Sequence, residues 1–353
     1  MTLPRHFSRE PVSESAQEAG GCSVERMADG VRFMPAPKKI WIIAAFAALY
    51  VIWGSTYLGI RFAIETIPPL LMAGTRFLLA GIILYAAARM SGAPRSQPIE
   101  WRSALVVGAC LLLGGNGGVT LSEQYVPSGL AALLVATVPI YIALLSWLFG
   151  MSKRPSTITW AGLAGGFVGV GVLIGPALRF KATGESPQAW IGMSILLCSS
   201  LIWSAGSLYS RHAHNTPSLF LAAAQQMLCG GALLLIAGIA TGELRHFDPR
   251  QITTQSFAAF VYLVLIGGII GYVSYAWLLR NCEPAKVATY AYVNPIVAVI
   301  LGALFAHETL SLRTLVGAGL IVGSVAVVIT AQQMRPKGQP PIPVIIEPAD
   351  CAR

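Results

Sequence analysis

Long runs of apolar residues divide the chain into stretches with the length of a membrane-crossing helix. Crossing the hydrocarbon core as an α-helix takes about 20 predominantly apolar residues. The runs are apolar on nearly every face, so they predict helices that contact lipid or other helices rather than water. The predicted spans are 40–62, 69–88, 103–121, 128–149, 158–175, 189–210, 217–240, 256–279, 285–305 and 314–332.

Composition agrees with this pattern. Of the 353 residues, 55% are hydrophobic and 11% are charged, whereas a soluble domain carries roughly 25% charged residues. A water-facing surface cannot be built from such a chain, so its solvent is membrane lipid. The net charge of +9 does not indicate a nucleic-acid partner, because Lys and Arg gather in the cytoplasmic loops of membrane proteins.

The distribution of basic residues predicts the orientation. With a cytoplasmic N-terminus, most Lys and Arg residues outside the spans fall on the inner side, so both termini are expected in the cytoplasm of a multi-pass inner-membrane protein. Residues 1–39 lack the apolar core of a signal peptide and are predicted to be a disordered tail. The Pro-rich segment 333–353 is predicted to be a second cytoplasmic tail, and 176–188 a periplasmic linker.

The two halves of the chain resemble each other. WGSTYLGIR at 53–61 aligns with WSAGSLYSR at 203–211, a shift of 150 positions. Further along, the shift drifts to 156, where Gly115 meets Gly271. The collinear order of these matches predicts two repeats, 40–175 and 189–332.

Each repeat holds five predicted spans, and five is odd. The second repeat therefore enters the membrane from the opposite side, which makes the fold an all-α membrane protein of two inverted five-helix repeats. Inverted repeats recur in secondary transporters, whose two opposed halves rock about a site near the bilayer midplane.

Polar and aromatic residues inside the spans are the candidates for that site. Arg76 lies inside the second span, and burying its charge costs several kcal/mol unless it finds a partner or water. It is a candidate to bind an anionic substrate group, and the alternatives are snorkelling or pairing with Glu123. Trp53 and Trp203 are repeat equivalents away from the interfacial belts and line a cavity or pack. The predicted cavity lining is Trp53, Thr56, Tyr57, Arg76, Asn116, Trp203, Gln226, Tyr272, Tyr292 and Asn294.

Glycine and proline suggest where the helices depart from regularity. The run from Gly114 to Gly118 around Asn116 predicts a loosened helix that exposes a cavity, with tight packing as the alternative. Pro139 and Pro295 occupy equivalent places and are predicted hinges, or else static kinks. GxxxG patterns in the fifth and tenth spans favour packing within the chain, and a homodimer seam is the alternative.

Other chemistry has little support. No Asp or Glu occupies the middle of a span, so Glu123, at a span end, is the best candidate for ion coupling. No phosphate-binding loop, metal-ligand spacing or nucleophile motif occurs in the sequence. We therefore expect neither enzymatic activity nor a cofactor or metal.

Several stretches resemble the drug/metabolite transporter superfamily, specifically the EamA family and its YedA-type members. They are IWGSTY (52–57), PPLLMAGTRFLLAG (68–81), GNGGVTLSEQYVPSGLAALLVATVP (115–139), LLRNCEPAKVATYAYVNPIVAVILG (278–302) and ETLS (308–311). The resemblance implies two EamA repeats, a bacterial inner membrane and export of amino acids or related metabolites. The family-motif positions are Trp53, Ser55, Thr56, Tyr57, Arg76, Asn116, Glu123, Tyr292 and Asn294.

The sequence thus predicts a secondary transporter of small metabolites that works by alternating access. A passive facilitator is the nearest alternative, because carboxylates for ion coupling are missing from the span centres. A scaffold or receptor is disfavoured, since it has no need of two opposed halves.

Overall fold

The computed structural model describes residues 39–333 apart from 152–153, 175–187, 215, 217, 246, 283–286, 288–289 and 309–310. The predicted tails and most of the predicted linker lie outside these residues. All regular structure within the described residues is helical, which agrees with the predicted all-α class. From Ile42 onward, the described helices belong to one compact unit.

The helices are numbered here in chain order. Their bounds are α1 Lys39–Ala63, α2 Pro69–Met90, α3 Pro98–Gly108, π1 Ala109–Gly117, α4 Gly118–Ser122, α5 Ser128–Val135, α6 Val138–Leu148, α7 Thr157–Ile174, α8 Ala189–Ser210, α9 Leu219–Ala240, α10 Thr254–Tyr262, π2 Leu263–Ile270, α11 Gly271–Asn281, α12 Tyr290–Phe305 and α13 Leu312–Gln333. Two short 3₁₀ turns, Glu243–Arg245 and Pro249–Gln251, connect α9 to α10.

The apolar helices are long enough to cross a membrane. Eight helical segments of the described residues qualify by length and hydropathy, and the apolar helices 157–173 and 293–305 are shorter. Local sequence sets several of their starts. Pro69 and Pro98 occupy the first turns of α2 and α3, where a missing backbone N–H breaks no helical hydrogen bond, and Gln97 forms a capping box with Glu100.

Equivalent helices of the two halves pack against each other. α2 lies antiparallel along α9, and the contacts are reciprocal. A Cβ on Gly81 would meet the Leu228 backbone nitrogen at 3.0 Å, and one on Gly231 would meet that of Leu78 at 2.8 Å. Both Gly231 and Leu228 stand 150 positions after their counterparts, so the two contacts are the same contact made twice, with the halves exchanged.

The helices α7 and α13 form a second pair of equivalent helices that pack against each other. α7 packs along α13, and a Cβ on Gly162 or Gly169 would come within 2.8 Å of Val328 or Ile321 respectively. The glycines of α7 therefore serve close helix packing within the chain, as the sequence favoured. Gly319 and Gly323 of α13 differ, because nothing lies within 4 Å of a Cβ built on either.

The third helix of each half is wound as a π-helix over part of its length. In the first half this is π1, which contains the glycine-rich run, and in the second half it is π2, which contains Gly267 and Gly268. π-helical turns are rare and often mark functional sites. The predicted loosening of the first glycine run is confirmed, and the second half has its own version.

We call distal the end of the bundle at which α1 finishes and α2 begins. Hydrogen bonds between the two halves cross this end. The Ser256 hydroxyl donates to the Phe62 carbonyl over 2.7 Å, and the Thr253 backbone N–H donates to the Thr66 hydroxyl over 3.3 Å. The start of α10 is thereby attached to the end of α1.

Candidate functional site

A cavity of about 130 Å³ lies inside the bundle. One water requires ~10–15 Å³ by this kind of measure, so the cavity accommodates a molecule of several non-hydrogen atoms. Both halves contribute to its wall. The described lining residues are Trp53, Thr56, Tyr57, Ile60, Arg76, Phe77, Leu112, Gly115, Asn116, Val119, Ala132, Val135, Ala136, Val138, Ser199, Ser200, Trp203, Met227, Leu263, Gly267, Gly268, Tyr272, Tyr290, Ala291, Asn294 and Pro295.

Most of the predicted lining residues are among these, and two are not. Gln226 does not line the cavity itself but holds Tyr272, which does. Tyr292 lies in α12, and its side chain is outside the described residues. The structure therefore gathers eight of the predicted residues at one cavity: Trp53, Thr56, Tyr57, Arg76, Asn116, Trp203, Tyr272 and Asn294.

The two tryptophans are placed by glycines of the opposite half. A Cβ on Gly115 would lie 2.5 Å from the Trp203 ring, and a Cβ on Gly271 would lie 2.7 Å from Trp53 Nε1. Any larger residue at either glycine would displace an indole from the cavity wall. The sequence alignment pairs both the tryptophans and the glycines, so this crossed arrangement is another contact made twice.

Two further hydrogen bonds are repeat equivalents with different chemistry. In the first half, Arg76 Nη2 donates to Asn116 Oδ1 over 3.1 Å. In the second half, the Tyr272 hydroxyl donates to Gln226 Oε1 over 2.7 Å. Each bond joins the second helix of its half to the third. One wall of the cavity is therefore cationic and the other is neutral.

The hydrogen-bond donors of the Arg76 guanidinium are only partly used by these contacts. Its side chain is 4% exposed, and its Nε has no hydrogen-bond partner among the described residues. Its guanidinium carbon stands 4.5 Å from the Phe77 ring centroid, a cation–π contact. A buried guanidinium with an unused donor at a cavity wall is suited to accept an anionic group.

An aromatic cluster forms the part of the wall around Trp53. The Trp53 ring centroid lies 5.0 Å from that of Tyr275 and 5.2 Å from that of Tyr290. Asn294 lies beside this cluster, where its amide nitrogen, in the orientation that satisfies both of its polar atoms, donates to the Tyr50 and Tyr290 carbonyls over 3.2 Å each. Tilted and edge-on rings give an apolar surface with few polar atoms.

Sequence analysis missed part of the lining. Ser199 and Ser200 face the cavity from α8, and their signal was a polar pair inside an apolar span, LLCSSLIW at 196–203. Met227 and Val119 gave no such signal, because an apolar residue in an apolar helix looks the same whether it faces lipid, protein or a cavity.

Glu123 lies at the distal end, one residue beyond α4 and one helical turn beyond the cavity-lining Val119. Its side chain is 0% exposed, and neither carboxylate oxygen has a hydrogen-bond partner among the described residues. Arg61 donates to its backbone carbonyl over 2.6 Å rather than to its side chain. Burial raises the pKa of the Glu123 carboxyl well above its usual range, and the charge of Glu308 adds to this, while Arg76 and Arg61 oppose it.

Two other glutamates of the distal end are fully used. Glu308 accepts hydrogen bonds from the Ser128 backbone N–H and hydroxyl, each over 2.7 Å, and from the Gly129 N–H over 3.0 Å. Glu243 accepts from the N–H groups of Leu70 and Leu71. Each carboxylate belongs to the second half and caps a helix N-terminus of the first, where anions are favoured. We call these two contacts the distal clasps.

The paired prolines have different surroundings. Pro139 lies in the first turn of α6, just after a helix break at residues 136–137, whereas Pro295 lies inside the continuous helix α12 and lines the cavity. A proline in a first turn costs no hydrogen bond, but one in a helix interior removes one. The hinge role of both residues stays a prediction.

Among the described residues, no group of three or more His, Cys, Asp or Glu side chains is arranged to hold a metal ion.

Known proteins resemble the chain over most of its length. It is 40% identical over 308 residues to the inner membrane transporter YedA of Escherichia coli strain K12. This match covers 86% of this chain and 95% of YedA. It is 28% identical to the transporter YvbV of Bacillus subtilis, over 80% of this chain and 90% of that one. It is also 28% identical to the protein PecM of Dickeya dadantii, in a match that covers 85% of this chain and 95% of PecM.

A solved crystal structure of a protein has a similar fold, with a TM-score of 0.58 and 21% identity over 83% of this chain and 98% of that chain. The model of the EamA-like transporter family matches residues 39–175 and 190–330. The two matches in series show that this chain belongs to the EamA-like transporter family, and the eight apolar helices with the similarity to YedA show that it is a multi-pass inner-membrane protein.

Proposed function

We propose that the protein is a secondary transporter that moves small metabolites by alternating access through the central cavity. The observation that carries this is the cavity itself, which is walled by equivalent residues of both halves and contains a buried, partly unpaired Arg76. In this scheme the halves rock about the cavity, and the distal clasps form and break as the distal end closes and opens.

The proposed architecture is ten membrane-crossing helices in two inverted repeats. Its support is the set of contacts made twice: Gly81 and Gly231 between α2 and α9, and the crossed tryptophans at the cavity. Antiparallel packing of equivalent helices is what a two-fold axis in the membrane plane produces. The bias of Lys and Arg supports cytoplasmic termini, which would make the distal end periplasmic.

The proposed cargo is an amino acid or a related metabolite, exported from the cell. The aromatic and amide groups of the wall would hold its body, and Arg76 would select a carboxylate. A cavity of this size and mixed polarity suits a cargo of several non-hydrogen atoms better than a lipid or a peptide.

The test is efflux from liposomes that contain the purified full-length chain and a pooled load of labelled amino acids and related metabolites. Saturable efflux of a particular compound is expected, and its dependence on an imposed proton gradient separates a coupled exporter from a passive facilitator. Gly115→Leu tests the cavity without changing Arg76, because the added side chain would displace Trp203 from the cavity wall and should lower the rate of efflux. Protein shown to be folded that moves no compound of the pool would refute the proposal for this class of cargo.

A further inference from the structure

The distal end contains a carboxylate that neither the clasps nor the cavity wall accounts for. Glu123 is fully buried, and both of its oxygens lack hydrogen-bond partners among the described residues. A buried, ionised and unpartnered carboxylate is one of the most costly arrangements in a protein. Such a group relieves the cost by taking up a proton or by pairing with a cation.

The surroundings of Glu123 narrow these choices. The titratable and charged groups whose fields reach it are Arg61 and Tyr57 on α1, Arg76 on α2, and Glu308 in the turn after α12. Arg61 already donates to the Glu123 main chain, and Glu308 is held by Ser128 and Gly129. Of the two cations, Arg76 is the one that lines the cavity, and its Nε has no hydrogen-bond partner among the described residues.

Two opposite buried charges, neither with all of its polar atoms hydrogen-bonded, thus lie within reach of each other's field, Arg76 at the cavity wall and Glu123 beyond it. Arg76 donates a hydrogen bond from Nη2 to Asn116 in π1. Val119 lies about one turn further along the same helix, and its carbonyl accepts a hydrogen bond from the Glu123 backbone N–H. When Glu123 is ionised, its charge neutralises that of Arg76 and disfavours a second anion. When Glu123 is protonated, Arg76 is left as a buried cation at the cavity wall.

We propose that Glu123 is a proton-binding site that controls the anion affinity of Arg76, so that a carboxylate-bearing cargo binds together with one proton. This rests on the transport function proposed above and names its coupling ion. Because the proton travels in the same direction as the cargo, export then requires an outward cargo gradient larger than any inward proton gradient. The proton comes from water on the side to which the cavity is open, resides on a Glu123 oxygen while the cargo carboxylate occupies Arg76, and leaves with the cargo on the other side. The bound pair adds no net charge to the cavity.

Protonation of Glu123 can be measured without knowing the cargo. Infrared difference spectra of the full-length protein in lipid bilayers would be recorded across a pH titration, with the carbonyl stretch of protonated carboxylic acids as the signal. We expect a band at neutral pH that disappears in Glu123→Gln and persists in Glu308→Gln. A neutral-pH band that survives unchanged in Glu123→Gln would overturn the proposal.

Coupling to Arg76 is tested by the same titration. Loss of a neighbouring cation makes a carboxylate easier to protonate, so Arg76→Gln should move the midpoint of the Glu123 band to higher pH by about 1–3 pH units. Arg89→Gln is the matched control, because Arg89 lies at the other end of α2 and should leave the midpoint in place. An unchanged midpoint in Arg76→Gln would show that the two residues are not coupled.

Anions and sodium complete the test. Acetate, succinate and L-glutamate are the carboxylate probes, and acetamide, succinamide and L-glutamine are their uncharged counterparts. At least one carboxylate should raise the midpoint in the wild type but not in Arg76→Gln, and no shift with any probe counts against binding of the anion together with the proton. A band abolished by replacing potassium with sodium at constant pH would make Glu123 a cation site instead. Efflux is measured separately, so a failure of transport and a failure of proton binding remain distinguishable.

Discussion

The two halves of the protein have similar backbones and different charges. In the first half, α2 presents Arg76 and the third helix presents Asn116, and in the second half the equivalent residues are Gln226 and Tyr272. Each pair joins the same two helices of its half, with donor and acceptor exchanged, yet only the first pair holds a net charge. The fold is therefore close to symmetric, while the electrostatics of its cavity are not.

The clasps show the opposite assignment. Glu243 and Glu308 both belong to the second half, and both cap helices of the first. The first half thus contributes charge to the cavity, and the second half contributes charge to the contacts between the halves at the distal end. The close backbone contacts at glycines are therefore shared by both halves, whereas these charged residues are not.

The largest effect is expected when the charge difference between the two cavity walls is removed. Arg76→Gln gives the first half the residue of the second, and we expect efflux of a carboxylate-bearing cargo to fall at least ~30-fold, because truncating one partner of a buried charge contact costs about 2–5 kcal/mol. The measurement is the initial rate of efflux from liposomes. Arg89→Gln should leave that rate unchanged, and an Arg76→Gln protein with wild-type rates would show that the asymmetry has no part in transport.

Weakening one of the distal clasps tests the role of the second half's glutamates at the distal end. Glu308→Gln replaces a carboxylate that accepts three hydrogen bonds with a neutral amide, and hydrogen bonds to charged groups contribute about 1.5–3 kcal/mol. We expect the distal end to open more often, which would raise the rate at which a membrane-impermeant maleimide labels a cysteine introduced at Thr56 by about tenfold or more.

The matched control for the clasp is Glu65→Gln, since Glu65 is an exposed carboxylate at the same end. It should leave the labelling rate at the wild-type value. Equal labelling in wild type and Glu308→Gln would mean that the contact between Glu308 and Ser128 does not hold the distal end closed.

The smallest expected effect is on the neutral wall. Tyr272→Phe removes the hydroxyl that donates to Gln226 but keeps the ring at the cavity, and a neutral hydrogen bond contributes only about 0.5–1.5 kcal/mol. We expect the KM for efflux to rise about two- to tenfold with little change in maximal rate. A loss as large as that of Arg76→Gln would contradict the view that the two walls differ in importance.

Much of the fold could be predicted from the sequence. Apolar runs of membrane-spanning length locate the helices because lipid leaves no other way to satisfy the backbone, and the WGSTY and WSAGS segments reveal the duplication. Arg76 was identifiable as a site residue because an intramembrane charge is costly enough to need a reason. Helix winding was harder, since the glycines of π1 indicated loosening but nothing in LVLIGGII at 263–270 specified a π-helix.

The partners of each polar group were beyond the sequence. Glu308 and Glu123 are both carboxylates next to helix ends, but Glu308 is satisfied by the start of α5 and Glu123 is buried without a hydrogen-bond partner among the described residues. Their difference depends on where a turn of one half meets a helix end of the other, and residues 180 positions apart carry no local signal of that contact.

The sequence by itself determined the solvent, the approximate helices and the duplication, because these follow from hydropathy and periodicity along the chain. Only the tertiary structure decided which equivalent residues meet at the cavity, which glutamates cap helices of the other half at the distal end, and which glutamate lacks a hydrogen-bond partner among the described residues. The physical reason is that hydrophobic burial depends mainly on composition and is not directional, whereas hydrogen bonds and close glycine contacts require atoms of distant segments to meet within a few tenths of an ångström.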